Sequence, residues 1–247
     1  MYDVKEFIFD KEKCWFKKNC VNYNKEVCNC GCKIYCQFYY LVNLANIPVY
    51  MQYPENQQLI PGKDANEFKM LNDIKENIVE WVENGNNLFL FSEYCGNGKT
   101  TWSIKLMCKY FSKIWPGNGT KCRGLFINVD EFFLAKQNSI KRPNARINEI
   151  ERLIPEVDLV IWDDIGCTEL SNYQHNILFP LINSRIINRK SNIFTSNSID
   201  NDFAANVGER LVTRILETSD IIEFINTSHR KPISRRGEKL NGTITSN

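Results

Sequence analysis

The chain has 247 residues, 31 Lys and Arg against 29 Asp and Glu, a formal charge of +2 and an apolar fraction of 43%, which suits one domain of ordinary size with a small appendage. Near-neutral charge excludes a globally basic surface, so any nucleic-acid affinity has to come from local patches. The longest apolar stretches are strand-sized and the first thirty residues are charged and cysteine-rich, so neither a membrane span nor a signal peptide is expected and the protein is placed in the cytoplasm.

Six of the ten cysteines, Cys14, Cys20, Cys28, Cys30, Cys32 and Cys36, lie close together near the amino terminus. A cytosolic chain does not keep a disulfide framework, and a segment this polar has too little apolar area to fold without a staple. The spacing predicts a small metal-binding domain over residues 1–50, with zinc as the leading ion and Cys14, Cys20, Cys28, Cys32 and Cys36 as candidate ligands. Cys32 and Cys36 are spaced to share one face of a helix. Four ligands close a tetrahedral site, so the set is larger than needed, and an iron–sulfur cluster draws on the same ligand type.

Next, FYYLVNLANIP reads as a short apolar helix that stops before Pro48, and the polar stretch after it predicts a linker over 51–65. From Asn66, apolar residues at Phe68, Leu71, Ile74, Ile78, Val79 and Val82 recur at three and four, predicting one helix that ends at Asn84-Gly85. The apolar run Leu88 to Phe91 then leads into a glycine-containing turn and Gly98-Lys99-Thr100, the form of a Walker A loop. In such a loop, backbone N–H groups and a helix N-terminus surround phosphate oxygens, the lysine reaches the terminal phosphates, and the threonine holds Mg²⁺. The nucleotide-binding candidates are therefore Cys95, Gly96, Asn97, Gly98, Lys99, Thr100 and Thr101. The template has glycine where this chain has Glu93, which has to keep a negative φ and point outward. Alone, GNGKT would equally suit a turn before an amphipathic helix; its neighbours decide.

A helix over 100–114, a loop over 114–123, a strand over 124–129, a helix from Asp130 and another over 145–153 follow. The segment DLVIWDDIG then supplies a strand over 157–162 that ends in two carboxylates, the pattern of a buried strand delivering acids to a metal-nucleotide site. Asp163 is expected on Mg²⁺ and Asp164 on the attacking water. A helix over 172–189, a strand over 192–195 ending at Ser196-Asn197, and a helix over 207–217 complete the pattern. Such alternation predicts an α/β fold with a mostly parallel sheet, whose ligand sits outside the carboxyl ends of the strands.

The order GNGKTT, DLVIWDDIG, LINSRIINRKSNIFTSN, VGERLVTRI and SHR resembles the AAA+ helicase loaders of the DnaC and DnaI type, and also the transposon ATPase IstB, over roughly residues 65–235. The resemblance implies an AAA+ P-loop ATPase domain over 66–235, preceded by the cysteine-rich domain; the tail over 236–247 has no clear place in the pattern and is expected to be flexible. It implies phosphate and Mg²⁺ binding by Lys99 and Thr100, a Walker B pair in Asp163 and Asp164, and a sensor role for Asn197. Arg214 corresponds to an arginine finger acting across subunits, with Arg210 as rival, and Arg230 to a second sensor. The implied activity is ATP hydrolysis by an ATP-dependent homo-oligomer. Its implied partners are a replicative hexameric helicase, gripped by the cysteine-rich domain, and single-stranded DNA, for which Lys136, Lys141 and Arg142 are candidate contacts. A transposition ATPase of the IstB type and a non-hydrolysing helicase adaptor, the latter suggested by Glu93, are the alternatives.

Overall fold

In the computed structural model of the protein, residues 9–119, 121–199 and 201–226 are described. Five parallel strands, β1 (Asn87–Phe91), β2 (Gly124–Asn128), β3 (Leu159–Asp163), β4 (Ser191–Ser196) and β5 (Ser219–Glu223), form one sheet in the order β2-β3-β4-β1-β5. The helices are α1 (Lys33–Leu44), α2 (Ala65–Glu76), α3 (Ile78–Glu83), α4 (Lys99–Ile114), α5 (Val129–Lys141), α6 (Ala145–Leu153), α7 (Asn172–Ile187), α8 (Asn201–Val207) and α9 (Glu209–Glu217).

Strands β1 and β3 are apolar along most of their length, and β4 is buried along all of its length, because helices cover both faces of the sheet. Leu88 and Leu90 face one layer, where α1 contributes Phe38, Leu41 and Val42 and α4 contributes Trp102, Met107 and Phe111. Phe89 faces the other, against Leu211, Ile215, Ile182 and Phe203. Such alternation along one strand is what a two-residue side-chain period requires.

Three features depart from the expected elements. The helix expected over 66–84 is broken at Asn77, whose φ of −103° and ψ of 22° end α2 and begin α3. Helix α8 and strand β5 were not anticipated; in SDIIE only Ile222 is buried, and the strand exists through its parallel pairing with β1, from Asn87 opposite Ser219 to Phe91 opposite Glu223. Residues 51–65 do not form a free linker. Two 3₁₀ turns, Val49–Gln52 and Pro54–Gln57, bury Met51, Gln52 and Gln57, and the Gln57 amide donates to the Met51 carbonyl at 2.7 Å.

The cysteine-rich region is likewise joined to the sheet: α1 lies in its core, and the Phe126 N–H on β2 donates to the Ala45 carbonyl at 2.7 Å. Among the described residues, no group of three or more His, Cys, Asp or Glu side chains is gathered so as to hold a metal ion. Burial pushes the Cys14 thiol up, and Cys32, Cys20 and Cys28 are near enough to add to the effect, yet the expected ligands Cys14, Cys20, Cys28, Cys32 and Cys36 form no group able to hold a metal ion. Cys36 Sγ instead donates to the Cys30 carbonyl at 3.4 Å. The zinc expectation thus finds no support in this arrangement, and the staple is aromatic. Trp15 stacks on Phe38 with centroids 5.6 Å apart, Phe16 meets the same ring edge-on at 5.3 Å, and the Tyr39 hydroxyl donates to the Lys13 carbonyl at 2.9 Å.

At the amino-terminal edge of the sheet, Arg185 of α7 is fully buried. Its Nε donates to Asn192 Oδ1 at 2.7 Å, and its terminal nitrogens donate to the carbonyls of Ile154, Val157, Asp158 and Ser191 at 2.5, 2.9, 3.2 and 2.6 Å. Burial pushes the guanidinium down to about 9, so it stays cationic at neutral pH. A planar fork with five donors fits this set of acceptors, whereas an ammonium cannot span them. Removing it leaves buried acceptors without donors, so Arg185→Met is expected to destabilise folding by about 3–5 kcal/mol in urea denaturation. Arg185→Lys should recover only a small part of that loss.

Candidate nucleotide site

At the opposite, carboxyl edge of the strands, β1 runs through buried Ser92 into the loop that opens α4. Gly98, the N-cap of α4, has φ +106°, and a Cβ there would lie 2.7 Å from Leu59 Cδ1. Only glycine combines that backbone with so close a neighbour. Glu93 is exposed and is not among the residues with positive φ, so it meets both conditions for tolerance.

Lys99 is only 5% exposed, and its ammonium donates to the Tyr94 carbonyl at 3.2 Å, to Asn97 Oδ1 at 3.4 Å and to the Ser92 carbonyl at 3.5 Å. Burial pulls the ammonium below the usual lysine range. Asn97 is 1% exposed, and its Nδ2 has no hydrogen-bond partner. A buried cation, an unmatched amide donor and the N-terminus of a sixteen-residue helix together make a site for an anion.

The acids arrive from β3. Asp163 is buried; it accepts from Thr195 Oγ1 on β4 at 2.8 Å and is hydrogen-bonded by Thr100 at the start of α4 and by Asn128 at the end of β2. Burial, followed by the charge of Asp164, pushes its carboxyl up to about 6. Asp164 adopts a left-handed backbone, φ +57°, at a cost of about 1 kcal/mol or more. This ends β3; the Asp164 N–H donates to Thr195 Oγ1 at 2.9 Å, and its carboxylate accepts from Asn128 Nδ2 at 3.5 Å. Asn197, just past β4, donates through Nδ2 to Cys167 Sγ at 3.2 Å.

These groups face one cleft of about 500 Å³, lined by residues 95–101, Asp163, Asp164 and Asn197 on one side and by Tyr50, Met51, Asn56, Gln58 and Leu59 on the other. Every candidate expected on the P-loop, Walker B and first-sensor segments therefore meets at one place. The second wall was missed, because residues 50–59 read as a connector; its weak signal was the apolar set Val49, Tyr50, Met51 and Leu59 within polar sequence. Arg214 lies outside the cleft on α9 and is exposed; its carbonyl accepts from Thr218 Oγ1 at 2.7 Å, while its guanidinium makes no hydrogen bond or ion pair among the described residues. Arg210 is occupied, its guanidinium 4.5 Å from the centre of the Phe179 ring. Arg230 falls outside the described residues. Lys136 is paired with Glu151 at 2.7 Å, which weakens its candidacy as a DNA contact, whereas Arg142 is exposed. A second cleft, about 330 Å³ at the amino edge, holds Arg123 and Lys190, both paired to Asp158, and lacks a phosphate-binding loop.

The donor set suits a magnesium nucleotide: Thr100 and Asp163 present hard oxygens side by side, next to a cationic, amide-lined phosphate cradle. The parallel sheet, the glycine loop opening α4, the acid pair ending β3 and the Asn after β4 define a P-loop ATP-binding protein with the AAA+ fold. Residues 40–237 match the family model described as IstB-like ATP binding protein, and the chain belongs to that family. Solved structures with this fold include the DnaC helicase loader, 19% identical with a TM-score of 0.52 over 64% of this chain and 88% of that one. DnaI is 20% identical with a TM-score of 0.53, over 72% and 94% of the two chains. The replication initiator DnaA bound to AMPPCP and single-stranded DNA is 21% identical with a TM-score of 0.52, over 65% of this chain and 46% of that one. No curated protein matches the chain. Among the described residues, no helix is long and apolar enough to cross a membrane.

Because the fold raises the Asp163 carboxyl from 3.8 to about 6, the folded state holds a proton between those values that the unfolded chain has released. The contribution of Asp163 to stability therefore declines as pH rises through that window and is unfavourable above it. Asp163→Asn is expected to stabilise the nucleotide-free protein at pH 7.5 by up to about 3 kcal/mol in urea denaturation. The advantage should shrink below pH 5, and the variant should lose the added stability that ATP with Mg²⁺ confers on the parent protein.

Proposed function

We propose that the protein is an ATPase that loads a hexameric replicative DNA helicase onto single-stranded DNA, acting as an ATP-dependent oligomer. The observation that carries the reading is the meeting of Lys99, Thr100, Asp163, Asp164 and Asn197 in one cleft of an IstB-like chain, with Arg214 exposed outside it. Lys99 and the loop amides bind the phosphates. Thr100 and Asp163 hold Mg²⁺, which offsets phosphate charge when bound. Asp164 orients the attacking water, and Asn197 holds that water or the terminal phosphate. Arg214 of a neighbouring subunit stabilises transition-state charge; the engagement of Arg210 with Phe179 favours Arg214 for this role.

Support for the helicase comes from the loader fold, which DnaC and DnaI share, and support for DNA from the fold of DnaA bound to single-stranded DNA. The match to the IstB-like family keeps a transposition ATPase as the second reading, and capture of a transposase rather than a helicase would select it. Lys99→Ala and Arg214→Ala should each lower ATP turnover by about a hundredfold or more, and mixing the two variants should restore part of it, because each supplies what the other lacks. Turnover that survives in Arg214→Ala would remove the shared site.

Because α1 belongs to the core, the helicase-gripping role of the cysteine-rich region is tested by substitution rather than deletion. Val21 and Val27 are 81% and 58% exposed there. The double change Val21→Asp and Val27→Asp should abolish helicase capture while leaving ATP binding intact. Undiminished capture would move the contact elsewhere.

A further inference from the structure

Two sulfurs that the proposed reaction does not use border the nucleotide cleft. Cys95 is exposed and lines the cleft within the phosphate-binding loop. Of the ionisable groups around the Lys99 ammonium, Cys95 acts on it most strongly, ahead of Asp164, Cys167 and Asp163. Cys167, from the loop after β3, is held through its sulfur by Asn197 Nδ2, and Asn197 lines the same cleft. The two differ in chemistry. Partial burial and the carboxylates of Asp164 and Asp130 push the Cys167 thiol up to about 11, so it stays protonated at neutral pH. Cys95 stands beside the Lys99 ammonium, in the loop that leads into the positive end of α4. The unmatched Nδ2 of Asn97, one turn of the loop away, independently marks this end of the cleft as built for an anionic ligand.

We propose that Cys95 is a redox-modification site, at which an anionic low-molecular-weight disulfide of the glutathione class forms a mixed disulfide that blocks the nucleotide cleft. The proposal rests on the nucleotide reading of that cleft. The Cys95 sulfur, having given up its proton, attacks one sulfur of glutathione disulfide. The disulfide's S–S bond breaks as the Cys95–glutathione bond forms, and the second glutathione leaves as a thiolate that takes up the proton. The Cys95 sulfur is oxidised and the departing glutathione reduced, with no other electron acceptor needed. Lys99 and the α4 terminus attract the carboxylates of the incoming disulfide, as they attract phosphate. Once attached, the tripeptide occupies the space between Lys99 and the 50–59 wall that a triphosphate requires, and its negative charge opposes phosphate entry. A thiol reductant reverses the step.

The test treats the full chain with glutathione disulfide, maps adducts by peptide mass spectrometry and measures binding of a fluorescent ATP analogue with Mg²⁺ before treatment, after it, and after reduction. Exposed Cys30, in the amino-terminal segment, is the internal reference. The expected result is an adduct on Cys95 whose formation is slowed by saturating ATP while that on Cys30 is not. Affinity should fall at least about tenfold on modification and return on reduction. Cys95→Ser, whatever its own starting affinity, should lose nothing further on treatment, whereas Cys167→Ser should remain sensitive. An unmodified Cys95 where Cys30 has reacted overturns the proposal, as does an adduct that binds nucleotide as tightly as the untreated chain. Absence of nucleotide binding before treatment would instead overturn the nucleotide reading, and this inference with it.

Discussion

The buried polar web at the amino edge of the sheet is the constraint on which the nucleotide site depends, although the two lie at opposite ends of the strands. Asn192 of β4 accepts from Arg185 and from Trp162 Nε1 of β3 at 3.1 Å, and its own N–H and Nδ2 donate to Asn87 Oδ1 of β1 at 3.0 and 2.8 Å. Asn87 in turn donates to the Thr218 carbonyl, just ahead of β5, at 3.2 Å. Four strands are thereby held at one level. In an interior that offers no water, each of these groups has one satisfactory arrangement, so the web resists sliding of one strand along another. A slip of one residue would send every side chain of β3 to the opposite face and carry Asp163 away from Thr195.

That register places opposite charges where neither is comfortable alone. Burial disfavours the Lys99 ammonium and the Asp163 carboxylate alike. Lys99 donates to the Ser92 and Tyr94 carbonyls and to Asn97 Oδ1, and Asp163 leans on hydroxyl and amide donors. A magnesium nucleotide brings phosphate to the first and a cation to the second. Such a ligand would stabilise the cleft, and the cost of burying these charges is met by the apolar layers on both sides of the sheet.

The second wall of the cleft ties the nucleotide to the amino-terminal part of the chain. Leu59 packs against Gly98, Tyr50 and Met51 line the cleft, and neighbouring Tyr53 meets Tyr39 of α1 at a centroid distance of 5.9 Å. The cysteine-rich segment packs on α1 through Trp15 and Phe16. A run of aromatic and aliphatic contacts thus leads from the phosphate loop to Trp15 and Phe16 of the cysteine-rich segment.

The sequence by itself determined the parallel α/β class and the residues of the phosphate and acid motifs. Each of these is written in a short, local pattern: an apolar strand, a glycine turn, a helix start, two adjacent carboxylates. Asp163 and Asp164 were legible together, but the burial of the first, the half-burial of the second and the left-handed turn at Asp164 are not announced by the string DDIG. Only the tertiary structure decided the rest. It made a wall of residues 50–59, a strand of SDIIE and a keystone of Arg185, and it gathered no metal-holding group from the clustered cysteines among the described residues. In each case a deciding partner is distant in sequence, so the energy that settles the conformation is absent from any local window: Leu59 needs Gly98, β5 needs β1, and Arg185 needs the carbonyls of Ile154, Val157 and Asp158.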